Sequence, residues 1–423
     1  MIVAHRHRRT GGLMATVGRD IDSVELTERE LWLDGPPLEV FKQMRSQCPV
    51  HWTESFQELP DEEGFWSVTT ADDVHTVSRD WQTYSSELGG VVVAAAGFPL
   101  ELARAMFIGM DPPKHDRLKA LFQRGFTPKR IADHEDAIRA IAVKLLDGLE
   151  GRETCDLVAD VAQPVVSRVI GSFMGISEED DLIWAKLMNS TLGAGDPDLN
   201  PDGFDGAVHK DIPEVFERCR KLIAERQQHP TDDLTSVLVH AELDGQGLEE
   251  HEIVMGFFLL MAAGNDSTKA TYCSGMRALI ENPEQMQLLL DDPSLVPAAV
   301  EESLRMFPAF AHFRRTATCD AELHGQKIRE GDKVVMWYAS SNRDETRFDE
   351  PDRFELRRTE EHQAFGAGGR HFCLGTALAR LELKILIEET IKRFPNIEMI
   401  DRPSHVESLF LNQLKTLPVR LTH

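Results

Sequence analysis

The chain has 423 residues, 42% of them hydrophobic and 28% charged, enough for an ample buried core. Its formal net charge of -25 excludes general nucleic-acid binding, because phosphates would be repelled. Cys48, Cys155, Cys219, Cys273, Cys319 and Cys373 are scattered with no Cys-x-x-Cys pair, which speaks against zinc or a disulfide framework and fits a reducing cytoplasm.

The basic stretch His5-Arg6-His7-Arg8-Arg9 has no apolar segment behind it, so it is expected to be neither signal peptide nor membrane anchor. Residues 1–20 are expected to be a disordered tail, with Met14 as an alternative start. No linker, repeat or low-complexity tract divides the rest, so 21–423 is expected to be one domain. Leu38 to Arg45 reads as a short amphipathic helix, Gly64 to Thr69 as a strand by its alternation, and Ala71 to Arg79 as a helix. Ser85 to Met110 is apolar and rich in Gly and Ala; it reads as a core strand around Gly89-Gly90-Val91-Val92-Val93 and then a helix.

Asp111-Pro112-Pro113 opens the next helix, on which His115 and Lys119, four apart, share a face. Its plain reading is a solvated basic helix. Arg117, Arg124, Lys129 and Arg130 add positive charge nearby, a local face suited to an acidic partner. Helical patterns fill Ile131 to Leu149, Val158 to Met174, Glu178 to Met188 and Ile212 to Gln227, and Gly193 to Gly206 reads as a long flexible loop.

Glu249 to Ile280 is the longest helical candidate, on the order of 45–50 Å at 1.5 Å per residue. Its stretch Ile253 to Ala263 is apolar all round, which indicates burial, yet too short to span a membrane. In the middle stands Ala263-Gly264-Asn265-Asp266-Ser267-Thr268. An acid beside a hydroxyl in a buried helix is costly without a partner or a purpose. Two readings stay open: Ser267 or Thr268 bonds back to a carbonyl while Asp266 pairs with a base, or the group does chemistry. Glu302 and Arg305 form an acid–base pair on one helix face. Strands are read at Phe313 to Thr318, Leu323 to Ile328 with a turn at His324-Gly325, and Lys333 to Tyr338.

Phe365-Gly366-Ala367-Gly368-Gly369-Arg370-His371-Phe372-Cys373-Leu374-Gly375 then presents a cysteine at the start of a helix, Leu374 to Lys392. The helix dipole and free N–H groups there favour a thiolate. A dinucleotide loop would need glycine where His371 stands, and a phosphate loop needs a Gly-Lys-Ser/Thr that is absent.

Phe-Gly-x-Gly, His371 two before Cys373, and Leu-Gly after it resemble the haem-binding signature of the cytochrome P-450 monooxygenases, and the expected lack of an anchor resembles their soluble bacterial branch. Three further motifs match that family in order: Asp111-Pro112-Pro113-x-His115, Gly264-x-Asp266, and Glu302-x-x-Arg305. The resemblance implies a mainly α fold with a small β portion (α+β), binding haem b through Cys373 and using O2. It implies that Phe365 and Gly264 lie against the haem, and that His115, Lys119, Arg315 and His371 neutralise its propionates. Asp266, Ser267 and Thr268 would relay protons. Glu302, Arg305 and Arg358 (or Arg343) would lock the loops beneath the haem. The loop at 193–206 would be a lid, and Phe98, Met106, Phe107, Phe257, Met261, Phe310 and Phe410 would wall a pocket for a lipophilic guest. His312 and Asn412 could orient a polar end or be satisfied by backbone. The implied electron donor is a ferredoxin with its reductase, and the implied setting is the cytoplasm, with no membrane span.

There are departures. Lys119 and Ser267 stand where the family has Arg and Thr, and the Phe-to-Cys spacing is one residue longer than usual. A subset with the longer loop, and with a tail similar to Ser408 to Lys415, hydroxylates cholesterol side chains and methyl-branched lipids. The rival readings are a haem protein that senses or carries without turnover, and a peroxide-driven or redox-neutral haem-thiolate enzyme.

Overall fold

The computed structural model describes residues 21, 24–54, 56, 62–94, 98–123, 125–243 and 245–422. The tail expected over residues 1–20 and Arg124 of the basic face lie outside the described residues. Helices dominate the fold, and among the described residues five small sheets supply the β portion.

The longest helix spans Glu250–Glu281, one residue from the predicted bounds at each end. A capping box starts it, with the Glu249 backbone N–H donating to the Glu252 carboxylate at 3.1 Å. Its apolar run from Ile253 to Ala262 is buried almost throughout, because helices Gln163–Met174, Asp181–Leu192, Val296–Met306 and Thr376–Arg393 pack around it. Leu157–Met174 is the single helix among the described residues long and apolar enough to cross a membrane, and 61% of it is buried inside the protein.

The largest sheet orders its strands Val50–Thr53, Phe65–Val68, Lys333–Trp337, His312–Ala317 and Tyr84–Ser85. Its inner pair is parallel between Phe65–Val68 and Lys333–Trp337, and the other pairings are antiparallel. On one face Trp32, Phe41, Phe65 and Trp337 make a separate aromatic core. The turn expected at His324-Gly325 closes the hairpin Ala321–Leu323 with Gln326–Ile328, both turn residues having positive φ.

Two expectations fail here. Gly89 to Val93 forms no strand; it runs irregularly beside the sheet, where Val91 accepts from the Arg314 backbone N–H at 2.8 Å. Gly89 is crossed so closely by the Arg314 guanidinium that a Cβ there would collide with it. The loop at 193–206 is pinned rather than loose. Asp196 is fully buried, pairs with Lys415 at 2.9 Å and accepts from the Glu407 backbone at 2.9 Å, while Asn200 donates to the Ser190 carbonyl.

His312 and Asn412 are both satisfied by backbone and do not face a guest. The Val93 N–H donates to His312 Nε2 at 3.1 Å, so Nδ1 carries the proton and donates to the Leu409 carbonyl at 3.0 Å. Asn412 donates to the Pro308 carbonyl at 3.1 Å. Burial pushes His312 down to about 3. A histidine lowered from 6.5 contributes stability above its unfolded pKa and loses it as pH falls from about 6.5 towards 3. His312→Phe is therefore expected to cost about 2–3 kcal/mol at about pH 7, by leaving one buried and one partly buried backbone group unpaired. Urea unfolding at about pH 4 should show that gap narrowed.

Candidate functional site

The loop before helix Thr376–Arg393 is built on three left-handed glycines, Gly366, Gly368 and Gly369, with φ of 94°, 86° and 83°. At Gly369 a Cβ would lie 2.7 Å from the Ser78 carbonyl oxygen, so no side chain fits. The turn closes through the Cys373 N–H, which donates to the Phe365 carbonyl at 2.9 Å. Cys373 lies three residues ahead of the helix, and its thiol is accessible within a cavity enclosed by protein. Burial raises its pKa, against opposing pulls from the Gly375 backbone N–H and from Lys119 and Arg380. The expected thiolate stabilisation is thus present but outweighed by desolvation until a cation meets the sulfur.

The cavity runs from this loop to the central helix, which contributes Leu260, Ala263, Gly264, Ser267, Thr268 and Thr271. Those positions, spaced three and four apart, are one helix face. Phe107, Phe126, Ile170, Phe310 and Phe313 supply apolar wall, and Phe365, His371 and Arg315 line the other end. Of the pocket residues expected from sequence, Phe107 and Phe310 line the cavity. Phe98, Met106, Phe257, Met261 and Phe410 do not. Phe257 and Met261 sit on the adjacent helix stripe, where Phe257 packs on Trp184 at 5.2 Å. Phe98 and Met106 belong to the helical core, and Phe410 stacks behind Phe310 at 4.9 Å. Gly264 borders the cavity, and its missing side chain also lets Ile170 pack, since a Cβ would lie 2.7 Å from it.

Asp266 does not line the cavity. Its Oδ1 pairs with Lys269 at 2.7 Å inside the protein, and Lys269 also donates to Gln163 and Asn189 at 2.9 and 2.8 Å. Asp266 Oδ2 is buried with no partner among the described residues. Ser267 bonds back to the Ala263 carbonyl at 2.7 Å. The structural reading of both residues is therefore realised, and Ser267, Thr268 and Thr271 are the hydroxyl-bearing residues that this helix places along the cavity. Lys269→Met would strand a buried carboxylate and is expected to cost about 3–5 kcal/mol in urea unfolding, whereas an exposed pair would cost under about 1.

Thr268 also bonds Glu382 of helix Thr376–Arg393, a cavity-lining acid that sequence reading missed. Burial pushes Glu382 up to about 8, so near neutral pH it is largely a protonated donor. The one available signal was a single acid between leucines at 381 and 383, nine residues past the cysteine.

The four residues expected to face propionates divide. Arg315 lines the cavity, fully enclosed, with Nη1 donating to the Arg314 carbonyl at 2.7 Å. His371 lines it too, its Nε2 at 3.2 Å from Ser86 Oγ and its ring 4.2 Å from that of His115. His115 bonds Asp116 through Nδ1 at 2.9 Å and keeps Nε2 buried and unpartnered among the described residues. Burial lowers the pKa of both imidazoles, with Arg315 and each other adding to the effect at His371. Both shifts favour the neutral imidazole. Lys119 departs furthest: its ammonium donates to the carbonyls of Arg370 and Phe372, both at 2.6 Å.

Glu302 and Arg305 are not a surface pair. Both are buried and joined by two hydrogen bonds of 2.7 and 2.8 Å, and Arg358 reaches Glu302 at 3.4 Å. Arg305 also donates to the carbonyls of Asn342 and Pro351 at 2.8 and 2.9 Å, tying this helix to the segment before the cysteine loop. Arg343 instead pairs with Asp352.

The family model for cytochrome P450 matches residues 205–415. The chain is 36% identical over 409 residues to the methyl-branched lipid omega-hydroxylase of Mycobacterium tuberculosis, covering 94% of this chain and 95% of that protein. It is 33% identical to the steroid C26-monooxygenase of the same organism, covering 94% and 97%. Among solved structures, Mycobacterium marinum cytochrome P450 CYP268A2 in complex with pseudoionone superposes with a TM-score of 0.86 at 36% identity, covering 90% of this chain and 94% of that one. The cavity-facing Cys373 lies in the loop that carried the resemblance, and likeness at this level along nearly the whole length leaves one conclusion: this chain belongs to the cytochrome P450 family and is a cytochrome P450 monooxygenase.

Proposed function

We propose that residues 21–423 form one haem b-binding domain that hydroxylates an unactivated C–H bond of a branched-chain lipid, sterol side chain or terpenoid. The reaction consumes O2, two electrons and two protons and gives the alcohol and water. The observation that carries this reading is the Cys373 thiol facing a cavity whose opposite wall is the small, hydroxyl-bearing face of the central helix. The residues present fit the cofactor. Cys373 offers the sulfur ligand, buried His115 Nε2 has no partner among the described residues and would donate to a carboxylate as the imidazolium, and Arg315 and His371 line the cavity where carboxylates would sit. Haem iron, when bound, supplies oxygen activation.

The chain's own contribution is positional. Phe107, Ile170, Phe310 and Phe313 desolvate and hold an apolar guest. Ser267 and Thr268 pass protons at their hydroxyl oxygens, with Asp266 as the acid behind them once its bond to Lys269 exchanges. Asp266→Asn is expected to lower coupled product formation by about 10- to 100-fold and raise peroxide release, both read in one turnover assay. The names of the relatives, one a methyl-branched lipid omega-hydroxylase and one a steroid C26-monooxygenase, support the lipophilic substrate class.

A ferredoxin with its reductase, in the cytoplasm, is the proposed electron source, received at the face bearing exposed Arg117, Lys129 and Arg130. Spectral titration of the holoprotein with a branched fatty acid, a sterol, a terpenoid and a planar apolar xenobiotic tests the substrate class. A water-displacement shift with the first three is expected, and a shift with the xenobiotic alone would contradict it.

A further inference from the structure

We propose that Lys119 is a positioning residue that clamps the backbone immediately before Cys373 and weakens the donor strength of its thiolate, rather than a partner of a haem propionate. This rests on the haem-thiolate reading above. Lys119 lies on helix Lys114–Gln123, is buried, and does not border the cavity. Its ammonium donates to the carbonyl oxygens of Arg370 and Phe372, both at 2.6 Å. Those carbonyls flank His371, and Phe372 is the residue before the sulfur ligand. One turn earlier on the same helix, His115 packs its ring 4.2 Å from the ring of His371. One helix face therefore holds this segment twice, by backbone through the lysine and by side chain through the histidine.

The loop needs such a hold. Three of its residues are glycines in left-handed conformations, with little intrinsic preference to fix the path of the chain. The residue type matters as well. An ammonium is a compact charge with three rotatable donors, so it can serve two carbonyls on either side of one residue; a guanidinium presents a rigid planar fork suited to a carboxylate. Both acceptors are neutral, so the lysine's positive charge is not cancelled by them and acts on the nearby sulfur.

Resonance Raman spectroscopy of the ferric holoprotein separates the two roles, because iron–sulfur stretching and propionate bending give distinct bands. Lys119→Met is expected to raise the iron–sulfur frequency and leave the propionate bands in place. It is also expected to lower the reduction potential by roughly a tenfold change in the one-electron equilibrium, about 59 mV. Propionate bands that move while the iron–sulfur band stays would overturn the clamp. If Lys119→Met does not retain haem, Lys119→Arg decides: a displaced iron–sulfur band supports the clamp, and a wild-type band overturns it. A wild-type protein with no iron–sulfur band at all would instead remove the haem-thiolate reading itself.

Discussion

Arg305→Ala is expected to lower stability by about 3–5 kcal/mol, out of a total that for ordinary domains is about 5–15. The size follows from burial. Arg305 and Glu302 are 1% and 3% exposed, so removing the guanidinium leaves a carboxylate in the interior, where Arg358 at 3.4 Å is its remaining cation. Two carbonyls that position the chain before the cysteine loop, those of Asn342 and Pro351, lose their donor in the same step. The soluble fraction and haem content of the variant should fall together, and urea unfolding should give the free energy. Arg305→Lys keeps the charge but not the two-pronged contact and should fall between. A loss under about 1 kcal/mol for the alanine variant would mean that the pair behaves as an exposed one.

The second large effect concerns Cys373. Its thiol stands in the cavity with the Gly375 N–H directed at the sulfur and Lys119 and Arg380 nearby, a setting that accommodates an anion once a metal offsets the desolvation that now raises its pKa. Cys373→Ser changes one atom and leaves the loop hydrogen bond from the backbone N–H to Phe365 intact. The variant is therefore expected to fold, with an unfolding midpoint close to wild type, yet to lose hydroxylation by at least about 1000-fold, because serine cannot supply the soft, electron-rich ligand. Folding retained with activity lost would locate the effect in ligation. Folding lost as well would make Cys373 a packing residue.

Much of this was legible from the amino acids because local signals agreed with the tertiary outcome. Ala71–Arg79 forms as read, with Thr70 capping it, and the long helix keeps its limits because Glu249 and Glu252 cap it. What sequence could not show is rotation. Where a helix is apolar all round, each residue advances by about 100° and nothing in the pattern says which stripe meets the cavity. So Phe257 and Met261 turn to the core, Leu260 and Gly264 to the cavity, and Asp266 to Lys269. Periodicity likewise could not foresee that Gly89 to Val93 would form no strand, because the guanidinium that crosses Gly89 arrives from the distant strand His312–Ala317. Glu382 was invisible for a third reason: a buried acid looks like an ordinary surface acid until its partner, Thr268 on another helix, is in place.

The most direct test of the central claim is the carbon monoxide difference spectrum of the reduced, purified holoprotein, taken beside Cys373→Ser. The thiolate-type band in the wild type and its disappearance in the variant is the predicted result. A wild-type spectrum of the imidazole-ligated kind, or a thiolate band that survives loss of Cys373, would contradict it.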